Sequence, residues 1–238
     1  MKRFYNEVTA AATEDGYVIE LDGRIVKTPG KETLTVPTFA LAEAVAEEWR
    51  TQADDIDTNT MPVTKLANTA IDRVQPRFEA VAADITNFAS TDLLCYRADE
   101  PAGLAARQND IWTPYLEWAE SVLSAKLVTT DGIMPVRQSE AAIEAIAGAV
   151  NACDAFELTA LHEFTNGFGS VVLALAYMKE FASFEAIWEA SILDQTHQED
   201  QWGEDYEAIE NKEKLLADLK VACQFLSQVR NKIAGQPG

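Results

Sequence analysis

Two histidines, three cysteines and an excess of carboxylates are the groups from which this chain of 238 residues could build chemistry. In Asp194-Gln195-Thr196-His197-Gln198-Glu199-Asp200, Asp194 and His197 are three residues apart, so a helix would put both on one face. Helical metal centres bridged by carboxylates repeat such a carboxylate-x-x-His pair on two helices and add carboxylates from two more. The chain holds one such pair and no second, so no complete ligand set can be assembled from it and no metal site is expected. A helical metal-dependent enzyme using Asp194, His197 and Glu199 stands as an alternative reading. His162 sits beside Glu163 in an apolar helical run, where a structural hydrogen bond is expected rather than acid–base work. Cys95, Cys153 and Cys223 lie far apart with no C-x-x-C spacing, which fits small apolar residues in a reducing compartment. Gly167-Phe168-Gly169 is the nearest approach to a phosphate loop, but it falls inside a helical pattern rather than after a strand, so close helix packing is expected there. No G-x-S-x-G elbow occurs. The expectation is a protein that is not an enzyme, with no catalytic residue and no cofactor.

A different pattern surrounds Trp202. Glu199, Asp200, Glu204, Asp205, Glu207, Glu210 and Glu213 are interrupted by Trp202-Gly203 and by Tyr206. Such a stretch reads in two ways. It is a solvated helix face with a loop at Gly203, or it is an anchor in which aromatic rings dock on apolar surface while carboxylates meet Arg or Lys of a partner. Gly203 can end one helix and let Glu204 and Asp205 open the next, where exposed backbone N–H groups favour carboxylates.

The elements that position these residues follow from periodicity. Tyr17, Ile19 and Leu21 alternate on one face of a strand over 16–21. Asp22-Gly23 is a hairpin turn signal, 24–28 the return strand, and 34–36 a further short strand. The segment 4–9 offers one more strand. Thr38 caps a helix with the stripe Leu41, Val45, Trp49 and Ala53. From Met61-Pro62 onward helical periodicity dominates. Long helices are expected over 156–178 and 183–201, and a closing one carries Ile209, Leu216, Leu219, Cys223 and Leu226. The fold class is α+β: residues 1–62 form a small β-rich domain with one helix, residues 63–238 a helical domain, and the boundary lies within 51–76.

Composition limits the partners. Apolar residues make up 47% of the chain and charged residues 24%, an ordinary globular balance. The net charge of −20 repels phosphate backbones and anionic headgroups, so nucleic acid and membrane surfaces are not expected partners, while a basic protein patch is compatible. The longest apolar run, 171–178, is too short to span a bilayer, and the N-terminus lacks a signal core or transit pattern. A cytoplasmic location is expected, or the mitochondrial matrix for a processed organellar form. No sustained heptad seam appears, so a monomer is expected.

Several segments together resemble one family. They are Leu21-Asp22-Gly23-Arg24-x-Val26-Lys27-Thr28-Pro29, Ala46-Glu47-Glu48-Trp49-Arg50-x-Gln52, the long block from Met61 to Val74, Thr91-Asp92-Leu93-Leu94-Cys95-Tyr96-Arg97, and Gln201-Trp202-Gly203-Glu204-Asp205-x-Glu207-Ala208. In this order they are similar to the assembly chaperones of the F-type ATP synthase that bind the alpha subunit of the catalytic head, found in mitochondria and alphaproteobacteria. Lys27 and Lys65 depart from that pattern by standing where arginine is expected. The resemblance implies a β-rich N-terminal part and a larger helical part. It also implies a function: holding free alpha subunit soluble until beta subunit displaces the chaperone. The family's acidic position after Trp-Gly maps to Glu204, Asp205 and Glu207 as a group, with Trp202 and Tyr206 as partner-binding aromatics. The motif 65–73 reads as a second contact surface, or as a structural tie made by Asn68, Asp72 and Arg73. An interaction module for some other client is the remaining alternative.

Overall fold

A computed structural model describes residues 1–132, 134–203 and 205–231. Its elements fall into two compact units, and neither is one continuous stretch. The first unit comprises Met1–Phe78, Asp154–Ala160 and the described chain from Asp218 onward. The second comprises Glu79–Cys153 and Leu161–Ala217. A small sheet precedes a larger helical part, so the α+β class holds.

In the first unit, β1 (Val8–Thr13), β2 (Gly16–Leu21), β3 (Arg24–Ile25) and β4 (Thr35–Val36) form one antiparallel sheet in which β2 pairs with the other three. Asp22 and Gly23 both take positive φ, 48° and 73°, the two-residue turn whose twist matches the strands it joins. The return strand is shorter than the alternation suggests. After Ile25 the chain keeps only single pairings, because Val26 and Thr28 turn inward while Pro29-Gly30 begins a tight loop. The first strand starts at Val8 rather than Phe4, whose ring is exposed.

Helix α1 (Phe39–Arg50) begins where Thr38 accepts a bond from the Leu41 N–H, and it buries Leu41, Ala42, Val45 and Ala46. Leu41 and Val45 each contribute about 2 kcal/mol when removed from water. Truncating Leu41, which is fully buried, would leave a cavity that the sheet cannot fill. Helix α2 (Pro62–Thr69) has no cap of its own, since Met61 offers no side-chain acceptor. Glu48 of α1 replaces it. Its carboxylate accepts the Val63 N–H at 2.8 Å, the Thr64 N–H at 2.7 Å and the Thr64 hydroxyl at 2.6 Å. A π-helical turn, Ala70–Val74, continues α2.

The second unit takes in α3 (Phe78–Asn87) from Glu79 on, then β5 (Tyr96–Arg97), α4 (Ala102–Trp118), β6 (Thr130–Asp131) and α5 (Glu140–Asn151). Helix α6 (Ala155–Phe168) follows, and then α7 (Val171–Met178), with seven of its eight residues buried. A helix apolar on every side belongs at the centre of its unit. The expected single helix over 156–178 is therefore two. Gly169 at φ 65° ends α6, and Ser170 caps α7 through the Leu173 N–H, so Gly169 terminates a helix while Gly167 lies within α6. A similar break at Ile192 separates α8 (Phe184–Ser191) from α9 (Leu193–Trp202). Helix α10 (Tyr206–Arg230) closes the described chain. Among the described residues no helix is long and apolar enough to cross a membrane.

Candidate partner-binding site

Most of the sequence blocks named above are consumed by internal hydrogen bonding. Asp72 accepts the Thr28 hydroxyl at 2.6 Å and the Gly30 N–H at 2.8 Å, fastening the Thr28–Gly30 loop to the turn after α2. A Cβ at Gly30 would lie 2.5 Å from the Asp72 carboxylate, which explains the glycine. Of the three residues expected to make a structural tie, Asp72 does so. The Asn68 side-chain oxygen is buried without a partner, and Arg73 is exposed and makes no ion pair among the described residues. Gln52 bonds Thr60 and the Asp57 N–H, closing the connector before α2.

The block from Thr91 to Arg97 is buried in the same manner within the second unit. Asp92 is fully buried and accepts bonds from the Ser170 hydroxyl at 2.7 Å, the Leu94 N–H at 3.1 Å and the Val172 N–H at 3.2 Å. Loss of hydration pushes its carboxyl up to about 6, and the hydrogen bonds oppose that shift without cancelling it. Arg97 donates to the Gln108 carbonyl at 2.5 Å and lies over the Trp112 ring at 5.2 Å. Gln108 in turn accepts the Ala98 N–H and donates to Asp194 at 2.7 Å. Asp194, proposed above as a metal ligand, thus anchors α9 to α4. Among the described residues no group of three or more His, Cys, Asp or Glu side chains is placed to hold a metal ion.

The last block differs. At the corner between α9 and α10 the Trp202 and Tyr206 side chains are each 81% exposed. Asp205 and Glu207 are exposed as well, with no side-chain hydrogen bond among the described residues; Glu204 lies outside the described residues. Gly203 takes φ 84° and ψ 169°, a conformation open to glycine alone. A Cβ there would meet nothing within 4 Å, so the constraint is backbone geometry and not space. This glycine makes the corner.

What holds the corner in shape is a residue the sequence did not single out. Lys212 on α10 donates to Glu199 on α9 at 2.8 Å, and Gln195 bonds the other Glu199 oxygen at 3.0 Å. The Lys212 ammonium keeps the Glu199 carboxyl below the usual carboxylate range. Glu199 and Lys212 are thirteen residues apart, outside any helical pairing rule, so no local signal could connect them before the corner formed. The clasp presents two aromatic rings and a pair of carboxylates outward. A surface of that kind can seat apolar area and basic side chains of another protein.

Comparison with known proteins gives a consistent result. The family model described as ATP12 chaperone protein matches residues 2–120. The mitochondrial protein atp12 of Schizosaccharomyces pombe is 26% identical across 97% of this chain and 85% of its own length. The crystal structure of Atp12 from Paracoccus denitrificans superposes with a TM-score of 0.93 at 38% identity, covering 96% of this chain and 98% of that one. A proposed chaperone from Agrobacterium tumefaciens gives 0.90 at 41% identity, over 96% of this chain and 86% of that one. The chain belongs to the ATP12 chaperone family, the ATP synthase assembly chaperones that its sequence blocks resemble.

Proposed function

We propose that this chaperone binds the free alpha subunit of the F-type ATP synthase head and keeps it from aggregating until beta subunit takes its place. A lone subunit of a ring exposes the surface meant for its neighbours, and such surfaces associate nonspecifically. The observation that carries this reading is the α9–α10 corner, with Trp202 and Tyr206 each 81% exposed beside Asp205 and Glu207. Two large rings held in water, with carboxylates around them and no internal partner, suit a surface completed by another molecule. Trp202 and Tyr206 cover apolar interface area, and Glu204, Asp205 and Glu207 meet basic groups. The chaperone acts as a monomer in the bacterial cytoplasm or the mitochondrial matrix, without turnover of any substrate.

Capture of purified alpha subunit, together with light scattering of that subunit on dilution from denaturant, tests this. Wild-type protein is expected to suppress the scattering. The Trp202→Ala/Tyr206→Ala double variant is expected to bind about thirtyfold more weakly, the loss typical of removing central aromatic anchors. Capture as strong as wild type by this double variant and by an Asp205→Lys/Glu207→Lys variant would remove the corner from the mechanism. Scattering no slower than in buffer would remove the function.

A further inference from the structure

The chain is strongly acidic, yet its positive side chains are unevenly used. Arg50, Arg107, Lys126, Arg137, Lys212 and Arg230 each find a carboxylate within 4.0 Å. Lys27, Lys31, Lys65, Arg73 and Arg77 are exposed, and none of them makes an ion pair among the described residues. These five lie in residues 26–35 and 58–78, which together carry a net charge of +3 against Glu32 and Asp72, while the remainder of the chain carries −23. The two segments meet in the first unit. Asp72 bonds Thr28 and Gly30, so the segment that carries Lys27 and Lys31 lies against the one that carries Arg73. Arg77 follows Arg73 one helical turn later. Asp72 makes no ion pair with any of them among the described residues.

Lys31 adds an independent observation. Its φ is 72°, in the left-handed region where glycine is free of strain and a lysine is not. A glycine would close this loop more easily, so the position carries a cation at the expense of backbone comfort.

We propose that this face is a second docking surface, which receives a carboxylate-rich segment of the client protein. The identity of the client rests on the function proposed above; the chemistry of the surface does not. Unpaired cations in a chain with a twofold excess of carboxylates select a negative ligand by charge complementarity. The ligand is a short acidic protein segment and not a nucleic acid. A phosphate polymer would run beyond the patch into the field of the remaining −23, whereas a few carboxylates end within it.

The test compares wild type, the triple variant Lys27→Gln/Lys31→Gly/Arg73→Gln, and the Trp202→Ala/Tyr206→Ala variant for capture of purified alpha subunit at low and high salt. The triple variant is expected to bind about tenfold more weakly and to lose much of the salt dependence. Its melting temperature should not fall, because Lys31→Gly relieves the strained φ, so weaker capture cannot be assigned to unfolding. Undiminished capture by the triple variant alongside weakened capture by the aromatic variant overturns this inference and leaves the proposed function standing. If wild type captures no alpha subunit, the function falls instead. The surface is then decided by anisotropy of a fluorescent glutamate-rich peptide: binding by wild type and not by the triple variant upholds it, and equal binding or none overturns it. Displacement of that peptide by single-stranded RNA of the same length also overturns it.

Discussion

The loop around Asp92 and the corner around Trp202 belong to the same unit and to the same set of sequence blocks, but their side chains are used in opposite ways. Asp92 is wholly buried, and three donors converge on it. Arg97, nearby in sequence, is sandwiched between a carbonyl and an indole ring. At the corner, two aromatic rings are 81% exposed, and the carboxylates beside them bond to nothing among the described residues. A buried carboxylate met by three donors, as Asp92 is, is explained by the fold, because a polar group out of water must find partners. An exposed aromatic group without partners is not explained by the fold at all. Family blocks that look alike on paper thus divide into those that build the scaffold and the one whose side chains the fold leaves exposed.

Substitutions can break this contrast, and the largest effect is expected at its buried end. Asp92→Ala strands the Ser170 hydroxyl and the Leu94 and Val172 N–H groups at the start of α7. Urea unfolding should show a loss of about 3 kcal/mol or more. A pH series sharpens the same point. The Asp92 carboxyl is raised to about 6 from the ordinary 3.8, so the folded state holds its proton more tightly than the unfolded chain does. The contribution of this group is fully present below about pH 4 and is lost as pH rises through about 6. Relative to an Asp92→Asn variant, which cannot titrate, wild type should lose about 3 kcal/mol across that window. A gap between the two proteins that stays flat with pH would show that burial does not govern this carboxylate.

Gly30→Ala is expected to have an intermediate effect, since the new Cβ would displace the Asp72 carboxylate from the loop it fastens. A destabilisation of about 1–2 kcal/mol by thermal or urea melting would match the loss of its two hydrogen bonds. The smallest effect on stability is expected at the exposed end. Trp202→Ala and Tyr206→Ala should each change unfolding free energy by less than about 0.5 kcal/mol while weakening client capture. A cost of about 2 kcal/mol there would mean that the rings serve the fold, and the contrast would vanish. Lys212→Gln, which opens the clasp on Glu199, should weaken capture without touching the client and leave the melting temperature nearly unchanged. Capture as strong as wild type would show that the corner does not need the clasp.

Much was legible from local pattern. Asp22-Gly23 required a positive-φ turn, Thr38 marked a helix start, and the stripe through Leu41 and Val45 marked a buried face. Local rules also brought Trp202, Gly203, Asp205, Tyr206 and Glu207 together, because they are neighbours in the chain. What such rules could not supply was the fate of each polar residue. Asp194 and His197 carried a metal-like spacing, but the oxygen of Asp194 went to Gln108, 86 residues earlier. The long apolar run through Gly169 read as one helix because periodicity does not register a single residue turning to positive φ.

Sequence alone therefore determined the α+β class, the early hairpin, the Thr38 helix cap and the composition of the α9–α10 corner, all of which depend on contacts within a few residues. Only the tertiary structure decided that Glu48 caps α2, that Asp72 fastens the Thr28 loop, that Lys212 clasps Glu199, and that residues 154–160 and those from Asp218 onward join the first unit. The physical reason is that burial and hydrogen-bond satisfaction are properties of the folded surroundings: the same carboxylate is a cap, a fastener or a recognition group according to what the rest of the chain brings within 3 Å of it.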